Sequence, residues 1–273
     1  MDKKVILITG ASSGIGFQAA RMLADRGHIV YGAARRVEKI NADGVRPLRM
    51  DVTDNAYMEA GVRQILSEEG RIDVLVNNAG YGYFGPIETV SMEEARRQLE
   101  VNVFGLARLT QLVLPHMRSQ QSGRIVNVSS VAGKSVLYFG GWYHVSKYAV
   151  EAFSDALRME VKPLGIHVSI IEPGAIRTQW GIIAADNLEA STKGTAYEGP
   201  AGNEASLMRK SYSASYFTQP EKIAAAIVKA ACSRRPRTRY RLGFGSRTLL
   251  FFHHLLPDRW WDATMRMAGQ IHL

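Results

Sequence analysis

Val5-Ile6-Leu7-Ile8-Thr9-Gly10-Ala11-Ser12-Ser13-Gly14-Ile15-Gly16 decides the fold. Val5–Thr9 is an apolar run of strand length, and the glycine turn that follows opens a helical pattern carrying Ala19, Ala20, Met22 and Leu23 and stopping near Gly27. Strand, glycine turn and helix in that order begin a βαβ unit. Gly10 permits the tight turn, Gly14 lets backbone approach a bound group, and Gly16 lets helix and strand pack closely. The free N–H groups and positive end of the helix then favour an anion such as a phosphate.

Outward from this run the same alternation continues. Ile29–Ala33, Val45–Met50, Val74–Val76, Arg124–Val128 and His167–Ile171 read as the second to sixth strands, and Arg239–Leu242 as an edge strand. Between them, Asp54 caps one helix, Ser91 with Glu94 has the form of a capping box, Tyr143–Lys162 is a long helix, and Pro220 and Glu221 open a helix through Ala231. Strand-length apolar runs alternating with amphipathic helices predict the α/β class, a doubly wound parallel sheet covered on both faces. Residues 1–242 form one domain, and 243–273 are a C-terminal helical extension. Residues 178–218 lose strong periodicity and gain Gly, Ser, Asn and Thr. A connection this long after the sixth strand predicts a substrate lid, mobile without ligand.

Composition narrows the function classes. The chain has 273 residues, a formal charge of +9 and a single cysteine. Lone Cys232 excludes an internal disulfide and fits a reducing, cytoplasmic compartment. No apolar run reaches the ~18 residues that span a bilayer. Arg234, Arg235, Arg237, Arg239, Arg241 and Arg247 form a basic cluster, but no nucleic-acid motif accompanies it, so no nucleic-acid partner is expected. His253-His254 lack neighbouring carboxylates or cysteines, so no metal site is expected.

Chemistry is concentrated at Ser130, Tyr143 and Lys147, with the spacing of Tyr and Lys placing them on one helical face. A neighbouring ammonium is expected to lower the phenol's pKa and make Tyr143 a usable acid or base. With the glycine turn and Asn77-Asn78-Ala79-Gly80, this set resembles the short-chain dehydrogenase/reductase family from about Lys3 to Leu242; Tyr148-Ala149-Val150-Glu151 and Pro173–Thr178 resemble its steroid- and retinol-dehydrogenase-like branch.

The resemblance implies a nicotinamide-dependent oxidoreductase acting on alcohol and ketone substrates. Tyr143 is the proton donor or acceptor, Ser130 stabilises the substrate oxygen, Asn102 supports a proton relay, and Lys147 also holds the nicotinamide ribose. Gly10, Ser12, Ser13, Gly14, Ile15 and Gly16 hold the phosphates; Asp51 and Val52 the adenine edge; Asn78, Ala79 and Gly80 the cofactor body; and Pro173, Ile176 and Thr178 the nicotinamide end, beside Tyr143 and Lys147. Asn77 can be purely structural.

Ala33-Ala34-Arg35-Arg36 has no acid where one would bind adenine-ribose hydroxyls, so Arg35 predicts NADP(H) over NAD(H). The substrate is expected to be apolar, and the assembly a homodimer or homotetramer. The reading from another class is a non-catalytic dinucleotide sensor or interaction protein, against which the intact proton-transfer set argues. In the tail, Leu249, Phe252, His253 and Leu256 share a helical face, and Pro257-Asp258 restarts a helix with Trp260 and Trp261. Packing on its own domain or a sister subunit is expected, with both tryptophans covered; contact with an anionic membrane surface is the lesser alternative.

Overall fold

The structure, a computed structural model, describes residues 3–214 and 216–270. Met1 and Asp2, Ser215 in the expected lid and the end of the expected tail lie outside the described residues. Seven strands, β1 (Val5–Thr9), β2 (Ile29–Ala34), β3 (Val45–Arg49), β4 (Val74–Asn77), β5 (Gly123–Val128), β6 (Ile166–Pro173) and β7 (Arg239–Leu242), make one parallel sheet. Its order is β3-β2-β1-β4-β5-β6-β7. Strand order reverses between β1 and β4, and that reversal opens a crevice at the carboxyl ends. The expected strands are all present, with several ends displaced by one or two residues.

Alternation along β1 separates two apolar layers. Ile6 and Ile8 face α1 (Gly14–Ala24) and α8 (Pro220–Cys232), packing with Leu23, Ile223 and Ile227. Val5 and Leu7 face the other way, towards α2 (Asn55–Glu69), α4 (Gly105–Ser119) and α5 (Gly141–Val161), and pack with Ile65, Leu109 and Leu157. Burial on both faces explains why β1 is apolar throughout rather than alternating.

Helix starts differ in a way that bears on function. The Asp54 carboxylate accepts from the backbone N–H of Ala56 at 2.8 Å and Tyr57 at 3.3 Å, capping α2. Ser91 Oγ accepts from the Glu94 N–H at 3.2 Å and caps α3 (Met92–Leu99). The return bond of the expected box is replaced by an Arg97–Glu94 ion pair at 3.5 Å. Ser13, at the start of α1, makes no side-chain cap. Its helix end keeps its donors open.

Two stretches take a more definite form than their sequence shows. The segment 178–218 contains α6 (Trp180–Thr192) and α7 (Glu198–Ser213), which pack on each other. Their buried faces are mostly small, with Gly181, Ala184, Ala185, Ala201 and Ala205, so the contrast that reveals a helix in sequence is faint. The tail forms α9 (Ser246–Leu255) and α10 (Asp258–Gln270), and α10 lies against α7. Trp261 is buried and donates to the Val136 carbonyl at 3.3 Å, whereas Trp260 is 69% exposed. One tryptophan faces inward and its neighbour outward, because adjacent positions on a helix point in different directions.

Candidate active site

At the switch point, Gly10 and Gly14 have φ of +69° and +56°, the left-handed region that favours glycine. A Cβ on Gly16 would lie 2.4 Å from both Asn78 Nδ2 and the Gly10 carbonyl oxygen, so only glycine allows this approach. Asn78 Nδ2 donates to the Thr9 carbonyl at 3.0 Å, while Thr9 Oγ1 accepts from the N–H groups of Asn78 and Ala79 at 3.0 Å. The loop after β4 is therefore tied to the turn after β1. Asn77 instead donates to Asn127 Oδ1 at 2.9 Å and Thr110 Oγ1 at 3.2 Å, a buried network that leaves its amide structural.

The turn, with its uncapped helix end, fits the phosphates of a dinucleotide. Arg35 and Arg36 follow β2 as exposed side chains that enter no ion pair among the described residues. Asp51, after β3, accepts from the Thr53 N–H at 3.0 Å and Thr53 Oγ1 at 2.8 Å, fixing the loop that contains Val52. Pro173 ends β6; Ile176 is buried and bridges to Thr218, and Thr178 Cγ2 would lie 3.9 Å from a Cβ on Gly14. The segment after β6 thus meets the glycine turn across the crevice.

Around the opposite wall, Ser130 Oγ accepts from the Ala132 N–H at 3.1 Å and donates to the Pro173 carbonyl at 3.4 Å. Tyr143 and Lys147 lie one turn apart on α5, with Lys147 Nζ 5.9 Å from the phenol ring centroid and donating to the Val128 carbonyl at 3.0 Å. Asn102 is buried within one π-helical turn over Glu100–Phe104, a local irregularity frequent at functional sites. Its Oδ1 accepts from the Tyr81 N–H at 3.0 Å, and its Nδ2 donates to the Tyr81 carbonyl at 2.9 Å and Ser146 Oγ at 3.0 Å. Gly80 sits between Asn102 and Lys147: a Cβ there would be 3.0 Å from Asn102 Oδ1 and 3.7 Å from Lys147 Nζ.

The electrostatics correct one expectation. Burial pushes the Tyr143 phenol up to about 12, with the Ser130 hydroxyl pulling in the opposite direction. Burial also lowers the Lys147 ammonium to about 8, opposed by the charge of Glu151. Desolvation of both groups therefore outweighs the expected acidification of the phenol by its neighbour. Tyr143 is held as a protonated acid at neutral pH.

Sequence reading missed the wall in front of the phenol. Tyr143 packs on Trp180, ring centroids 5.0 Å apart, and on Phe84 at 5.7 Å. Trp180 in turn touches Tyr212 at 6.0 Å. Gly82 makes room for the indole, since a Cβ there would lie 2.2 Å from Trp180 Cζ2. A tryptophan at the start of a weakly periodic stretch was the available signal. Cys232, expected as a small buried hydrophobe, is only half-buried and lies 3.3 Å from His28 Nε2. Among the described residues no cluster of metal-ligating side chains occurs.

Residues 4–187 match the family model described as short chain dehydrogenase. A probable short-chain type dehydrogenase/reductase, VdlC, of Helicobacter pylori is 35% identical over 267 residues, 96% of each chain. A 3-ketodihydrosphingosine reductase of Bacteroides thetaiotaomicron is 38% identical over 244 residues, 89% of each. Among solved structures, a short-chain dehydrogenase from Streptomyces avermitilis is similar with TM-score 0.79 and 34% identity, covering 100% of this chain and 99% of that one. A closed serine dehydrogenase complexed with NADP+ has TM-score 0.75 and 26% identity over 88% of this chain and 94% of that one. A short chain dehydrogenase/reductase from Burkholderia phymatum with NAD has TM-score 0.73 and 27% identity, over 87% and 89%.

Proposed function

The chain belongs to the short-chain dehydrogenase/reductase family of oxidoreductases acting on CH–OH groups, and from that premise we propose an NADP(H)-dependent enzyme that interconverts a secondary alcohol and a ketone. Its substrate is apolar, of steroid, retinoid or lipid type. The observation that carries this reading is the gathering of Ser130, Tyr143 and Lys147 at the carboxyl ends of β5 and β6, where Ser130 reaches both the phenol and the Pro173 carbonyl and Lys147 reaches the Val128 carbonyl. The bound cofactor supplies or accepts hydride at the substrate carbon.

In the reductive direction, Tyr143 Oη donates its proton to the carbonyl oxygen as that oxygen gains charge. Ser130 donates a hydrogen bond to the same oxygen and lowers the cost of the developing negative charge. Lys147 holds the ribose hydroxyls and supplies positive charge beside the phenol. Asn102 steadies the backbone around Tyr81 and supports the path by which Tyr143 regains its proton. Oxidation runs these transfers in reverse. Phe84, Trp180, Tyr212, Leu188 and Met208 favour an apolar substrate body, as does the name of the sphingosine-type relative.

Preference for NADP(H) is supported by exposed Arg35 beyond β2, where a fork of parallel donors meets a 2′-phosphate and no acid repels it. A homodimer or homotetramer is the proposed working form, and the lone cysteine fits the reducing cytoplasm proposed for it. Exposed Phe251, Leu255 and Trp260 on the tail suit a subunit contact first and an anionic membrane surface second. Measurement of kcat/KM for NADPH and NADH across a panel of apolar ketones tests the reading. The native protein is expected to prefer NADPH, and Arg35→Asp to lose on the order of tenfold to a hundredfold with NADPH. Equal efficiency with both cofactors, or an unchanged Arg35→Asp, would reject the assignment.

A further inference from the structure

The loop between β5 and α5 has Ser130 at its start and leads into the turn of α5 that carries Tyr143. One residue inside it stands in a costly conformation. Phe139 has φ of +57°, the left-handed region that a bulky side chain rarely enters. Such a residue persists only where its surroundings over-determine it, and such residues gather at ligand clamps and switches. Phe139 is buried with Phe84 and Tyr143 in the apolar wall. Its carbonyl accepts from the Gly85 N–H at 2.8 Å, and its ring meets that of Tyr197, just before α7, edge-on at 6.3 Å.

What holds this loop is His144, the neighbour of Tyr143, which the chemistry above leaves unused. Its imidazole is buried. Nδ1 lies 2.9 Å from the Ala132 carbonyl oxygen, which can only accept, so Nδ1 carries the proton. Nε2 lies 3.0 Å from the Leu137 backbone nitrogen, whose N–H can only donate, so Nε2 is bare. The two bonds tie the first turn of the loop and its far side to one ring. A Cβ on Gly140 would lie 2.7 Å from His144 Nε2 and 3.0 Å from Phe84 Cε1, so imidazole and wall ring meet across a single glycine. Only the neutral ring in this tautomer serves both partners, because a proton on Nε2 would face the Leu137 N–H. Burial keeps the ring below the ordinary imidazole range, against the pull of the Ala132 and Ser135 backbone. Among the described residues, the titratable group facing it is the Tyr143 phenol, ring centroids 6.0 Å apart.

We propose that His144 is a positioning residue for the substrate wall: neutral, it latches residues 135–140 onto α5 and keeps Phe139 and Phe84 in front of Tyr143, and a proton taken up at Nε2 releases the latch. Once released, the loop lets Phe139 leave the left-handed region, so relief of strain and loss of the hydrogen bond act in the same direction. The positioning role rests on the reading of an apolar substrate against this wall, whereas the latch stands on the two hydrogen bonds.

Protection of the Leu137 amide against hydrogen exchange, corrected for its intrinsic rate, is followed from neutral pH into the acid range, with KM and kcat for a bulky and a small apolar ketone alongside. Tyr143 at about 12 and Lys147 at about 8 stay protonated throughout and add no acid limb. In the native protein protection should fall about tenfold as His144 takes up its proton, the worth of one hydrogen bond. KM for the bulky ketone should rise with it, and kcat should change less. His144→Gln offers the Leu137 N–H an amide oxygen that does not titrate, so protection and KM should stay flat with pH. His144→Phe fills the space without an acceptor and should behave at neutral pH as the native protein does in acid. Should His144→Phe fail to fold, the native protein and His144→Gln carry the test. Protection that survives acid in the native protein, or an acid limb that persists in His144→Gln, overturns the latch. A loop that opens while KM for the bulky ketone stays in place overturns the positioning role. A native protein that reduces no apolar ketone would instead reject the substrate reading, and Leu137 exchange would then decide the latch by itself.

Discussion

In front of Tyr143 stand aromatic rings, Phe84, Trp180 and Tyr212; behind Lys147, one turn away on the same helix, stand Glu151, Glu172, Arg239 and Arg241. Both groups are buried, and burial alone drives each towards its neutral form. For the phenol the apolar wall reinforces that drive, and under the proposed function a neutral phenol is the proton-loaded acid that ketone reduction needs. For the lysine burial again favours the neutral form, and the charge of Glu151 opposes it. The same desolvation is thus reinforced on one side and opposed on the other.

The largest break in this comparison is Tyr143→Phe. It removes one hydroxyl, leaves the aromatic wall in place, and should cost at least a hundredfold in ketone reduction while NADPH affinity stays within about twofold. Retention of most of the rate would reject Tyr143 as the proton donor. Trp180→Ala sharpens the front wall: kcat/KM for bulky apolar ketones should fall about tenfold, with little change for small ones. An equal loss for both sizes would mean that Trp180 holds the fold rather than the substrate. The smallest effect on turnover concerns the tail. Trp261→Ala should cost about 2–4 kcal/mol in denaturant unfolding, against less than about 0.5 kcal/mol for exposed Trp260→Ala. Similar costs for the two would contradict the inward and outward split of neighbouring tryptophans.

Much of this was legible before any coordinates. The strands were readable because the sheet is buried on both faces and spells them as unbroken apolar runs, as in Val5–Thr9. Asp54 capped where a lone acid precedes a helix, and spacing brought Tyr143 and Lys147 together. Helices α6 and α7 were not legible, because alanine and glycine line their contact and give little amphipathic contrast. The ionic wall was hidden for another reason. Glu151 and Arg239 are 88 residues apart, and a charged residue in sequence reads as solvated until the fold buries it. The direction of the phenol's shift is not legible in the sequence, because spacing reveals a neighbouring charge but not the absence of water.

The most direct measurement of the contrast between the two walls is the pH dependence of kcat/KM for NADPH in ketone reduction, which reports the groups of the free enzyme. With Tyr143 near 12 and Lys147 near 8, the profile should be flat through neutral pH and fall above about pH 8, the ammonium being lost while the phenol stays protonated. A profile that rises with pH in this range, or stays flat to pH 10, would contradict it.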